Sequence, residues 1–408
     1  MRKRLRVIAS VDPRGGGPIE GIAQQAAFHA AAGIEEHVVS LDPPDAAWVR
    51  DFPLKLFALG EPVAKQARWR SLSPWRRYGR QPAFVPWLRA HVPNYDLVVV
   101  HGLWNYATMG ARLALVGSGA PYVVFTHGML DPWFKRHAPL KSAVKQLFWW
   151  FNEGPLLDNA RYVLFTSEEE KVLARQSFTP YRARERVVGY GTSDPGGDAS
   201  VQRAAFRALL PNLEKRYLLY LSRLHPKKGC DLLVDAFARV CGERGDLDLV
   251  MAGPGAPDFV RGLQERAAGL GIGARVHWPG MLRGDAKWGA FRNAEAFVLP
   301  SHQENFGIVV AEAMACGRPT LITDKVNIWR EVSSSGSGLV EPDDAPGVER
   351  LLRRFQMLSS DERSQMGRRA RATFLDRFEV GKASASINAA CLDAIQAHER
   401  RTAVAAPG

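Results

Sequence analysis

A chain of 408 residues is too long for one ordinary hydrophobic core and suits two domains of comparable size. With 46% hydrophobic and 24% charged residues it reads as a globular protein, and 54 basic against 42 acidic residues leave a net charge of +12, which points to an anionic partner. No run approaches the roughly 18 apolar residues that cross a bilayer, and "VIASV" near the basic start is too short for the hydrophobic region of a signal peptide, so a cytoplasmic chain is expected. Cys230, Cys241, Cys316 and Cys391 show no metal-ligand spacing and read as buried free thiols in a reducing compartment.

The first strand, "LRVIASV", runs into "DPRGGGPIEG", where Pro18 is placed to open a helix and Gly15, Gly16 and Gly17 leave room for backbone amides to approach an anion. The dinucleotide fingerprint is not met, because Glu20 stands where the third glycine belongs. Asp42, near the end of the second strand, could imitate the ribose-binding acid of a dehydrogenase, but acids are common in loops. The strands "EHVVSL", "DLVVVHG", "YVVFTHG", "RYVLFTS" and "ERVVGYG" follow, separated by helical patterns. Unbroken apolar strands alternating with helices predict a parallel sheet covered on both faces. His101 and His127 each follow a strand, where a histidine is either a hydrogen-bonded loop residue or a group facing a site. Two stretches, "KQARWRSLSPWRRYGRQ" and "WFKRHAPLKSAVKQLFWWF", interleave basic and aromatic residues. They suit either an anionic membrane surface or tryptophans packed in a core beneath solvated cations; no nucleic-acid motif accompanies them.

After the turn-rich "GYGTSDPGGDAS" at 189–200 the alternation restarts with "RYLLYLS", "LDLVMAG", "ARVHWPG", "EAFVLPS" and "PTLIT". The last 60 or so residues read as helices, with "TAVAAPG" as a loose tail. The expected domains are 1–190, 200–375, and a terminal helix over 376–408 that packs back toward the first domain. Ligands of open parallel sheets bind beyond the carboxyl ends of the strands, so the chemistry is sought there.

In "LSRLHPKKGCDLLVDAF", Arg223 ends a strand and Lys228 lies just before a helix, which projects both cations at the carboxyl edge of the second sheet. In "HQENFGIVVAEAMACGRP", a helix opening near Phe306 is apolar nearly all round except for Glu312, and a buried carboxylate needs a partner: a protein cation, an amide or a ligand hydroxyl. Arg223, Lys228 and that helix N-terminus would enclose a diphosphate. If the path were helical throughout, Glu304 and Glu312 would stand about 12 Å apart along the axis, the reach from a sugar past two phosphates to a ribose. The Asp246 to Asp248 pair begins a strand and reads as turn-to-strand chemistry rather than a metal site.

These residues, with "MAGPG" at 251–255, the spacing of Glu304 and Glu312, and "GGGPIEG" and "THGML" in the first half, resemble the retaining glycosyltransferases of family 4, over nearly the whole chain. The resemblance implies an α/β GT-B fold, two doubly wound Rossmann-like domains facing across a cleft. It implies that Arg223 and Lys228 hold the donor diphosphate with the backbone of Phe306, Gly307 and Ile308, that Glu312 binds the ribose hydroxyls, and that Glu304 binds the transferred sugar. Gly16 and Gly17 would lie near the phosphates and acceptor, and His127 at the reaction centre, with His101 the weaker candidate.

The implied activity is hexose transfer, with retention, from a nucleoside-diphosphate sugar, UDP- or GDP-linked, without metal or other cofactor. The implied acceptor is a glycan or a polyprenyl-diphosphate-linked chain in exopolysaccharide, lipopolysaccharide or capsule synthesis, with the enzyme peripheral on the cytoplasmic face of a membrane. Nucleic acid is not an expected partner. The alternatives are a GT-B nucleotide-sugar epimerase and a non-enzymatic basic protein that binds nucleotide or nucleic acid.

Overall fold

The computed structural model describes residues 2–63, 78–133, 135, 139–242 and 245–405. The chain forms two compact units, Met1–Tyr190 with Val380–Gly408, and Gly191–Glu379.

The first unit is built on β1 (Arg2–Val7), β2 (Ile34–Ser40), β3 (Lys55–Ala58), β4 (Leu97–His101), β5 (Tyr122–Phe125), β6 (Tyr162–Phe165) and β7 (Glu185–Val187). All pairings are parallel, in the order β3-β2-β1-β4-β5-β6-β7. Successive side chains of a strand point to opposite faces, and both faces here are covered. Val98, Val100, Val124 and Val163 join Phe84, Leu88, Tyr106 and Trp149 on one side. Leu97, Val99, Val123 and Leu164 meet Ile387, Ala390, Ala394 and Ile395 of the helix Val380–Ala405 on the other.

The second unit carries β8 (Arg216–Leu221), β9 (Leu247–Ala252), β10 (Val276–Gly280), β11 (Ala296–Leu299), β12 (Thr320–Thr323) and β13 (Gly338–Glu341), again all parallel, in the order β10-β9-β8-β11-β12-β13. All six residues of β9 are buried, Asp248 among them through its pairing with His277.

Two strands escape the sequence reading, β3 and β13. Each has four residues and lies at a sheet edge, where short, half-buried segments carry a weak pattern. The expected tail is also shorter, because the alanine-rich "TAVA" continues the last helix to Ala405. All four cysteines are buried and free. Strand order reverses between β1 and β4 in the first sheet and between β8 and β11 in the second, the places where open α/β sheets form binding crevices.

Candidate functional site

At the reversal in the second unit, the segment after β8 is shaped by its own polar groups. The Tyr220 hydroxyl donates to the Arg223 carbonyl at 2.9 Å, and His225 caps the turn Pro226–Lys228 by accepting from the Lys227 amide at 3.1 Å. Gly229 follows at φ 63°, and a Cβ there would stand 2.1 Å from the Pro300 carbonyl oxygen. Only glycine lets this segment lie against the end of β11. As a result Lys228 forms an ion pair with Glu304, both side chains partly buried, while Arg223, earlier in the same segment as Lys228, is exposed.

Glu304 is not helical. Its amide donates to the Lys325 carbonyl at 2.9 Å and its carbonyl accepts from Asn327 at 3.0 Å, so it is bridged to Val326 instead. The helix starts only at Ile308, capped by Gly307 at φ 75°, with Phe306 buried before it. The expected helical path from Glu304 to Glu312 is therefore broken, and the axial spacing of about 12 Å inferred from it does not apply. Glu312 is 2% exposed, and its Oε1 accepts from Lys287 Nζ at 2.5 Å. Lys287 comes from the helix Gly284–Asn293 and also lies over the Trp288 ring. The partner that the buried carboxylate requires is thus a protein cation.

At the reversal in the first unit lies a pocket of about 570 Å³, lined by Ser10, Asp12, Gly15, Pro18, His101 and His127 among others. Gly16, at φ 78°, caps the helix Gly17–Ala31. Tyr190 anchors the helix start by donating to the Gly17 carbonyl at 2.7 Å. Asp42 is consumed in shaping the segment after β1, accepting from the Ser10 hydroxyl, the Val11 amide and the Trp48 indole.

Behind the pocket the two histidines form a chain with Arg6. Arg6 Nη1 lies 3.3 Å from His101 Nε2, and His101 Nδ1 lies 3.0 Å from His127 Nε2. A guanidinium only donates, so His101 Nε2 accepts and its proton resides on Nδ1. That proton is donated to His127 Nε2, which leaves Nδ1 as the protonated nitrogen of His127. Burial, then the charge of Arg6, holds the His127 pKa down at about 4, and burial, Arg6 and His127 push that of His101 well below its ordinary value. Both rings are neutral at pH 7. Arg6 is itself buried and balanced by Glu36 at 3.0 Å. Burial alone would raise the Glu36 pKa, but Arg6 and His29 bring it down to about 2.

Sequence reading did not find Lys287 or Arg6. The signal available for Arg6 was a strand, RKRLRV, with more basic residues than a strand buried at four of its six positions accommodates without partners. The Asp246 to Asp248 pair sits at the start of β9, Asp246 paired with Arg216 at 2.7 Å and Asp248 with His277 at 2.9 Å. Of the first basic and aromatic stretch, Arg68, Trp69, Arg70, Trp75, Arg76 and Arg77 lie outside the described residues.

Residues 16–191 match the model of the glycosyl transferase 4-like domain, and residues 201–373 that of glycosyl transferases group 1. The D-inositol 3-phosphate glycosyltransferase of Streptomyces avermitilis is 31% identical over 252 residues, covering 59% of this chain and 53% of the relative. The alpha-D-kanosaminyltransferase of Streptomyces kanamyceticus is 26% identical, covering 66% of this chain and 64% of the relative. The chain spans about half the length of the D-inositol 3-phosphate glycosyltransferases that it matches. Among solved structures, the sucrose-phosphate synthase of Thermosynechococcus elongatus has a TM-score of 0.73 at 19% identity, over 97% of this chain and 100% of that one. The Anabaena HepE protein in complex with UDP and glucose has a TM-score of 0.73 at 19% identity, over 96% and 100%. With both halves matched and both sheets doubly wound, the chain belongs to the group 1 glycosyltransferases of family 4, with the GT-B fold.

Proposed function

We propose that this protein is a retaining, metal-independent hexosyltransferase that uses a nucleoside-diphosphate sugar. The observation that carries the reading is the gathering of Arg223, Lys228, Glu304 and the helix start at Gly307 and Ile308 around one strand reversal. Cations and unbonded helix amides stabilise a leaving diphosphate without help from an ion. The structural likeness to a protein solved with UDP and glucose favours a UDP-linked donor.

In this reading the diphosphate takes over the charge of Lys228 and releases Glu304 to the hydroxyls of the transferred sugar. Glu312, steadied by Lys287, accepts hydrogen bonds from the ribose. In the first unit, Gly16 and Gly17 leave backbone amides accessible to an anion, and His127, neutral and protonated on Nδ1, is a hydrogen-bond donor for a hydroxyl in its own pocket. As the bond from the anomeric carbon to the diphosphate breaks, the acceptor oxygen attacks from the face the diphosphate leaves, and a diphosphate oxygen takes the acceptor proton. Configuration is retained without a covalent enzyme intermediate.

The test is a thermal-shift screen of UDP-, GDP- and ADP-sugars followed by transfer and hydrolysis assays before and after dialysis against EDTA. A donor that raises the melting temperature by mass action and is turned over equally after chelation supports the reading. Turnover that returns only with Mg²⁺ or Mn²⁺ contradicts the metal-free mechanism, and donor epimerisation without transfer favours the epimerase alternative.

A second proposal concerns the acceptor. On the helix Pro139–Phe148 and the turn after it, Leu140, Val144, Leu147 and Phe151 are exposed at helical spacing, beside exposed Lys141. Such a stripe suits the interface of an anionic bilayer, and with it a lipid-linked acceptor of polysaccharide synthesis. Among the described residues no helix is long and apolar enough to cross a membrane.

A further inference from the structure

The second unit contains another pocket, of about 530 Å³, lined by Arg216, Arg318, Arg363, Arg368, Arg371 and a single carboxylate, Glu295, together with Ser360 and Ser364. It lies at the opposite end of the sheet from the donor residues. Arg216 opens β8, Glu295 precedes β11 and Pro319, also in the wall, precedes β12, whereas Arg223 and Glu304 follow β8 and β11. All these strands are parallel, and six residues of β8 separate the two edges by about 20 Å.

The carboxylates nearby do not balance the guanidinium groups. Glu295 is shared by Arg216 at 3.5 Å and Arg363 at 3.6 Å; Asp246 pairs with Arg216 and Asp194 with Arg371. Arg318 is partly buried and bonds the carbonyls of Cys316 and Ala294, at 3.1 and 3.0 Å; it forms no ion pair among the described residues and feels Glu295 only at longer range. Burial, the first cause, disfavours its charge. Arg368 is exposed and makes no hydrogen bond or ion pair among the described residues. Five arginines facing three carboxylates thus leave at least two positive charges uncompensated at one concavity of small-molecule size.

We propose that this pocket is a second anion site, separate from the donor site, that takes a phosphate-bearing group: a phosphomonoester or a diphosphate. Planar guanidinium forks match the oxygens of phosphate in pairs, and the serine hydroxyls supply further donors. A phosphate group brings more charge and more acceptor oxygens than a carboxylate, which suits a pocket with an excess of guanidinium groups.

The experiment is calorimetric titration of the full chain with inorganic pyrophosphate and with inorganic phosphate. It compares wild type with Arg368→Glu and Ser364→Asp, both exposed positions where the fold should persist, and with the donor-site variant Lys228→Ala. The expected result is a binding event that survives in Lys228→Ala and weakens about tenfold or more in Arg368→Glu and Ser364→Asp, with unchanged melting temperatures. Co-sedimentation with phosphatidic acid vesicles separates the sources: loss in Arg368→Glu identifies a lipid headgroup, and unchanged sedimentation a soluble ligand. The proposal is overturned if wild type binds neither phosphate nor pyrophosphate nor these vesicles, or if every binding event is indifferent to both pocket substitutions. The Lys228→Ala arm keeps this outcome apart from the reading of the donor site, which can fail on its own.

Discussion

Glu170 holds the turn that carries His127. One oxygen of the buried carboxylate accepts from the Thr126 hydroxyl at 2.8 Å and the Gly128 amide at 2.7 Å, the two neighbours of His127, and the other accepts from the amide and hydroxyl of Thr166 at 2.8 and 2.7 Å. The clamp explains how His127 keeps φ 49°, a left-handed conformation that a residue with a Cβ rarely adopts. Replacing Glu170 with Ala should therefore lower stability by about 3 kcal/mol, since several charge-assisted bonds are lost together. Glu170→Gln should fall between the two, because one of its positions donates rather than accepts. Urea denaturation measures both, and wild-type stability in Glu170→Ala would remove the clamp.

The buried histidines set a pH dependence. His127, His101 and His29 all have native pKa values below their ordinary one, for each of which burial is the leading cause. Between pH 6.5 and about 4 the unfolded chain binds protons that these rings refuse in the native state, so stability falls as pH falls. Each unmatched proton contributes at most about 1.4 kcal/mol per pH unit. Below about pH 4.5 the depressed Glu36 acts in the same direction, since its contribution is lost on protonation. The melting temperature is expected to drop steadily from pH 7 to pH 4.5, and the drop should be shallower in His127→Gln. Equal slopes in the two proteins would show that His127 titrates normally.

Lys287 and Glu312 form a pair with one member fully buried, and removing the cation alone leaves the buried carboxylate without its charge partner. Lys287→Ala should cost about 3 kcal/mol, whereas Lys287→Met with Glu312→Gln should recover part of it. If Glu312 also serves the ribose, Glu312→Ala should weaken UDP affinity about ten- to a hundredfold by calorimetry. Full stability in Lys287→Ala would mean that the carboxylate is satisfied elsewhere.

The membrane reading is tested at the exposed stripe rather than at the donor residues. Leu147→Ser with Phe151→Ser should reduce binding to anionic vesicles, and Lys141→Glu should reduce it further at low salt, by on the order of 1 kcal/mol for the lost cation. Donor hydrolysis should hardly change. Vesicle co-sedimentation beside a hydrolysis assay reads both, and a wild type that ignores anionic vesicles at low salt leaves a soluble acceptor as the better reading.

What was legible in the sequence follows from how locally each feature is encoded. The apolar runs revealed the long strands, although β1 starts earlier than "LRVIASV", in the basic residues before it, and the cations after β8 revealed the donor candidates, because strand ends and helix starts are marked by nearby residues. Lys287 was hidden because its partner is 25 residues away and its own helix looks like an ordinary solvated one. Arg6 was hidden because only the sheet order sets β1 beside β4 and thus Arg6 beside His101. The break between Glu304 and the helix was missed for a different reason: Gly307 in a left-handed conformation is invisible to a pattern of apolar residues.

The helix Val380–Ala405 gives the first unit an unusual birth order. It covers the face of β4, β5 and β6 made by Leu97, Val99, Val123 and Leu164, yet it is synthesised after the whole of Gly191–Glu379. While the ribosome is still making the second unit, that apolar face has no native cover. The second unit, by contrast, is continuous in sequence and can close as soon as it emerges. The half made first is therefore finished last, and a chain cut short near residue 379 would release a complete second unit attached to a first one with an open side.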